Sequence, residues 1–202
     1  MKYATLAVCL CLTLSTVTFA APQKAAASKE KKMDKKVETK DVKVKNLTLK
    51  VPTTWEAKKS SSRMRLATYQ VKPVEGEKDN AELTVFNFAN QGIKANVDRW
   101  VGQFSAEGRK TKVSKGSCST GEYYFVDITG TFKKPKPGAP PFGGEKIDAP
   151  NYRMYGVVLP VKGDGMYFLK LTGPTKTVAA QAKSMRGTFG GKKAKEKEHK
   201  LN

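Results

Sequence analysis

Asp127 and Glu82 are the residues of this sequence that offer most to chemistry. Each lies in an alternating apolar stretch, and two carboxylates brought together run general acid–base reactions. They meet only if the strands that carry them are neighbours; otherwise Asp127 pairs with a Lys or Arg at a sheet surface. Other constellations are missing by count. His199 is the only histidine and falls in a Lys-rich terminal stretch, whereas a nucleophilic centre needs its imidazole held against Ser or Cys. Of three cysteines, Cys9 and Cys11 lie in an apolar leader, which leaves Cys118 alone. One Cys and one tail His exclude a structural zinc site and an internal disulfide. Asp164 and Asp79 are too few for a calcium loop. Phe142-Gly143-Gly144 lies in a Pro-rich loop and not in the strand-to-helix turn that cradles phosphate. The sequence thus assigns no catalytic residue, no metal ligand and no cofactor.

The elements that position these residues are read from periodicity. Residues 42–51 alternate in two short runs and stop at Pro52, a strand or a tight pair of strands. Residues 64–71 and 81–88 predict two more strands, the second apolar on both faces and so central in its sheet. Ile93, Val97, Trp100, Val101 and Phe104 form one helical stripe, with Trp100 in the core. Residues 110–117 suggest a short edge strand and residues 123–132 a long one. Residues 152–160 and 166–172 form a hairpin around Lys162-Gly163-Asp164-Gly165. Thr175 is a candidate N-cap for a last helix whose stripe is Val178, Ala182, Met185 and Phe189. Runs of strands broken by two helices predict an α+β domain, an antiparallel β-sheet flanked by helices, over residues 42–190.

Between the strands, residues 133–151 read as a long loop crowded with Pro and Gly. Its Lys133-Lys134-Pro135-Lys136-Pro137 start is the best candidate contact surface, because long loops carry function and Pro limits the entropy lost on binding. Lys133, Lys134 and Lys136 are the candidate binding residues.

The first twenty residues have the three parts of a secretory signal. Lys2 precedes an apolar run, and Thr18-Phe19-Ala20 supplies small residues for cleavage between Ala20 and Ala21. Export to the periplasm or the extracellular space follows. The chain carries 38 Lys and Arg against 18 Asp and Glu, a formal net charge of +20. Residues 21–41 and 191–202 are Lys-rich with few large apolar side chains, and their composition predicts disordered tails. A chain so basic is drawn to an anionic polymer, a membrane surface or an acidic protein, and the attraction weakens with salt. No specific nucleic-acid motif is present, and the sequence specifies no oligomeric state.

Val51-Pro52 followed by Trp55, Met64-Arg65-Leu66-Ala67, Ala81-Glu82-Leu83, Arg99-Trp100 with Gln103-Phe104, Asp127 with Thr129-Gly130-Thr131, and Leu171-Thr172-Gly173-Pro174 form a further pattern. Over residues 47–189 it resembles small exported bacterial proteins, mostly of unknown function, with a PsbP-like α/β/α sandwich fold. The resemblance implies a non-enzymatic binding or assembly module outside the cytoplasm. It transfers no site residues: the metal and partner ligands of photosynthetic PsbP proteins, His included, have no counterpart here, and the basic tails depart from the group. The leading expectation is an exported, non-catalytic binding or assembly module whose basic surface contacts an anionic envelope component or acidic partner. A carboxylate-dependent enzyme and a structural envelope protein are the alternatives.

Overall fold

Strands of opposite patterning stack here into one wide sheet. The computed structural model describes residues 37–60, 62–89, 91–139 and 143–201. The expected signal segment, with its proposed Ala20–Ala21 cleavage point, and most of the Lys-rich linker lie outside the described residues. A hairpin of β1 (Thr39–Val44) and β2 (Leu47–Pro52) stands apart from the main sheet. The main sheet contains β3 (Glu56–Ala57), β4 (Ala67–Val71), β5 (Ala81–Phe88), β6 (Lys110–Cys118), β7 (Gly121–Pro135), β8 (Lys146–Val161), β9 (Gly165–Pro174) and β10 (Lys197–Glu198). Its eight strands run in the order β10-β6-β7-β8-β9-β5-β4-β3, and every pairing is antiparallel. Among the described residues three α-helices accompany the sheets: α1 (Ile93–Val101), α2 (Thr175–Ala180) and α3 (Ala182–Thr188). All these elements fall in one compact unit, a single α+β domain. Among the described residues no helix is long and apolar enough to cross a membrane.

Alternation of side chains along the strands divides the core in two. On one face, Leu83, Val85, Leu169, Leu171, Val157 and Phe125 pack with the β1–β2 hairpin, Trp55, and Val178, Met185 and Phe189 of the helical segment. On the other, Val126, Ile128, Met154, Val158 and Phe168 pack under Val97 and Trp100 of α1 and under Phe104. Trp100 is 3% exposed. Its ring lies directly on Gly156, where a Cβ would stand 2.3 Å from it. A glycine at that point of β8 lets the indole sit flat on the sheet.

Strand β5 lies between β4 and β9, the interior position expected of it. Three expectations change. The Pro- and Gly-rich stretch is not a loop throughout: β7 runs on to Pro135 and β8 begins at Lys146, so a hairpin arm replaces both ends of it, past a register shift between Gly130 and Phe132. Its residues alternate without an apolar face, and that hid the strands. The helix after Pro174 is not capped by Thr175, whose hydroxyl instead donates to the Asn151 carbonyl at 2.7 Å. Glu77, from a distant turn, accepts from the Lys176 and Thr177 amides at 2.8 and 2.6 Å and closes the helix start. Burial pushes the Glu77 carboxyl up, but these hydrogen bonds outweigh it and hold the group below the ordinary carboxylate range.

The third change concerns the C-terminal tail, which docks on the sheet. After a 3-10 turn over Lys193–Lys195, β10 pairs with β6, and the His199 amide donates to the Val113 carbonyl at 3.0 Å. A single carboxylate makes this possible. Glu196 receives Arg186 through two hydrogen bonds, 2.6 and 2.9 Å, and its side chain is wholly covered. The Arg186 guanidinium lies 3.8 Å from the centre of the Phe125 ring. A basic composition predicts solvation, and one well-placed ion pair overrides it.

Candidate anion-binding site

Helix α1 covers only part of its sheet face. Beyond its last turn, the sheet surface of β4, β5 and β9 is left open, and alternation turns Gln70, Glu82, Thr84, Lys170 and Thr172 into that opening. The β7 arm rises along one side with Phe132, Lys133, Lys134 and Pro135. The result is a recess of about 580 Å³, within the size range of small-molecule sites.

The α1 end is pinned to this arm. Phe104 bridges Phe132, the Lys133 amide donates to the Gln103 carbonyl at 2.8 Å, and Ser105 donates to Thr131 at 2.9 Å. These bonds hold the Gln103 side chain over the recess. There its Oε1 accepts from Lys170 Nζ at 2.8 Å, and the same ammonium lies 5.6 Å from the centre of the Phe132 ring. Lys170 has no carboxylate in ion-pair contact among the described residues. Burial, then the nearby Arg65, pushes its ammonium down to about 8, with Glu82 opposing and Arg99 adding to the fall.

Charge in the recess is one-sided. Six lining residues are cationic, Lys58, Arg65, Lys133, Lys134, Lys146 and Lys170, against the single carboxylate of Glu82. Three of the six are occupied: Arg65 by Glu82 at 3.0 Å, Lys58 by Glu56 at 2.7 Å and Lys134 by Asp79 at 3.2 Å. Asp79 also accepts from the Tyr152 hydroxyl at 2.6 Å. That bond, with Lys134, holds the Asp79 carboxyl below its usual range; burial first, then Asp79, pushes the Tyr152 hydroxyl up. The pair ties the turn before β5 to the β8 strand at the rim. Lys133, Lys146 and Lys170 have no carboxylate partner among the described residues.

No protein-family model matches the chain, and no curated protein matches it. Among solved structures it is similar to the Ran-binding protein Mog1p of Saccharomyces cerevisiae, at 13% identity and a TM-score of 0.42, over 73% of this chain and 84% of that one. So distant a likeness assigns neither ligand nor partner.

Of the candidate contact residues, Lys133 and Lys134 lie on the recess wall. Lys136 does not; it pairs with Glu145 across the hairpin tip at 2.8 Å. The Asp127–Glu82 pair does not form. Strands β8 and β9 separate their strands, and alternation turns the two carboxylates to opposite faces of the sheet. Asp127 instead takes Arg153 through two hydrogen bonds, 2.8 and 2.6 Å. Asp164 accepts from the Tyr167 hydroxyl, and among the described residues no group of three or more His, Cys, Asp or Glu is placed to hold a metal. Cys118 is a partly buried free thiol. His199 is placed against the sheet: its ring meets Tyr124 edge-on at 5.4 Å. Lys170 was missed at the sequence level because a lone Lys inside an alternating strand reads as a solvent-facing residue; Gln103, which places its amine, belongs to another element.

Proposed function

We propose that this is an exported, non-catalytic binding module that receives an anionic envelope component or acidic partner in the recess beside α1. The observation that carries the reading is a single concave surface on which three lysines, Lys133, Lys146 and Lys170, have no carboxylate partner among the described residues, while the other three cations are paired one to one. Such a surface concentrates positive potential and draws anions from a distance. Helices on both faces of an antiparallel sheet fit the PsbP-like α/β/α sandwich named above as a resemblance, and the leader fits export.

Two measurements test the reading. Polyglutamate or an acidic polysaccharide should bind the full chain with an affinity that falls steeply with salt. Lys133→Glu with Lys134→Glu should weaken it at least tenfold at low salt with the fold retained by circular dichroism, since both side chains sit at the rim and Lys134 gives up one partly exposed ion pair to Asp79. Equal binding by the double variant would place the contact elsewhere. N-terminal sequencing of the secreted protein should begin at Ala21; an intact Met1 would overturn the cleavage site, and absence of the protein from the secreted and periplasmic fractions would remove export from the proposal.

A further inference from the structure

We propose that the floor of the recess holds one uronate unit of an acidic saccharide, its carboxylate on the Lys170 ammonium and its ring hydroxyls on the neutral polar wall. The inference rests on the reading of the recess as an anion site and names the ligand class for it.

An ammonium carries three donors. Lys170 uses one, on Gln103 Oε1, and turns toward the Phe132 ring. A partly covered cation without a counter-ion is costly, and an incoming carboxylate supplies the missing acceptor and charge. The number of charges wanted is small. Arg65, the planar fork best suited to phosphate or sulfate, is already held by Glu82, and that carboxylate repels a dianion more than a monoanion. Between Lys170 and the cationic rim, the lining carries four neutral polar side chains, Gln70, Asn80, Gln103 and Thr172. Side-chain amides offer donor and acceptor together, which matches vicinal hydroxyls, whereas an oxyanion uses only the donor half. Phe86, half-buried on the lining, supplies apolar surface for the C–H face of a sugar ring. A volume of about 580 Å³ suits one or two sugar units. A longer chain would leave past Lys133 and Lys146 at the open side.

The test titrates the full chain with trigalacturonate, with its methyl ester, with glucose 6-phosphate and with polyglutamate, by calorimetry and by the amide shifts of β5 and β9. Trigalacturonate should bind at one site, and the methyl ester at least tenfold more weakly. Lys170→Met should lose at least tenfold for trigalacturonate, and Gln70→Ala, which leaves the core untouched, several-fold. Glu82→Gln should tighten glucose 6-phosphate more than trigalacturonate. Equal affinity of Gln70→Ala and wild type for trigalacturonate, or no preference over polyglutamate, would overturn the sugar assignment. If polyglutamate binding then still depends on Lys133 and Lys134, the recess remains an anion site for another class of ligand. If no anion responds to Lys133, Lys134 or Lys170, both readings fall.

Discussion

Moving an ammonium from water into a half-covered site penalises its charged form, and Lys170 has no carboxylate partner to offset this. The sign of the linkage follows. Its folded value, about 8, lies below the ordinary lysine value of 10.5. Between the two the unfolded chain binds more protons, so this group makes stability rise with pH across that window. Lys170→Met should abolish that rise and be more stable than wild type at pH 7, measured by urea unfolding at neutral and alkaline pH. A flat difference between the two proteins would show that Lys170 is solvated like any surface lysine. Ligand affinity runs the other way: an anion needs the charged amine, so binding should fall as pH passes 8. At Trp100 a similar balance is set by packing. Trp100→Ala should cost about 3–5 kcal/mol, since it empties the space between α1 and the sheet. Gly156→Ala should cost roughly 1–3 kcal/mol by lifting the indole off the sheet, measured by the same unfolding curves.

Among the elements, the C-terminal segment has the least apolar surface and is held by charge. Burial pushes the Glu196 carboxyl up, Arg186 and Lys193 pull it down, and the balance leaves it below the ordinary carboxylate value. Its stabilisation is therefore present above about pH 4.5 and lost as pH falls through the folded value. Glu196→Ala should cost about 3 kcal/mol by leaving the covered Arg186 uncompensated, and it should strip hydrogen-exchange protection from the His199 amide. Retained protection would mean that the β6 pairing alone holds the segment. This strand, like the arm carrying Lys133 and Lys134, was illegible in sequence for one physical reason. Both are strands without an apolar face, paired by backbone hydrogen bonds and a few ion pairs. Strands β5, β8 and β9 and helix α1 were legible because their burial is written in the period of their apolar residues. The recess was half legible: the Lys-Lys-Pro stretch marked its rim, whereas its floor combines Gln70, Glu82, Lys170 and Gln103 from four segments that only the sheet order brings together.

For the molecule as a whole, charge acts against folding and in favour of binding. A net charge of +20 repels itself in the compact state, and most of the ion pairs that offset it are exposed and individually weak. Salt screens this repulsion over a Debye length of about 8 Å at physiological strength. The melting temperature should therefore rise between 10 and 150 mM sodium chloride, as the Debye length falls from about 30 Å to about 8 Å, while the affinity for an acidic saccharide falls over the same range. The opposed slopes separate two origins of the basic excess. Were it there for solubility alone, anion binding would be weak at every salt concentration and indifferent to Lys133 and Lys134. Were it there for a ligand, saturating trigalacturonate should raise the melting temperature most at low salt, where ligand and repulsion are both strongest, and the increment should shrink in Lys170→Met. A ligand-induced shift that is independent of salt and unaffected by that substitution would place the saccharide away from the recess.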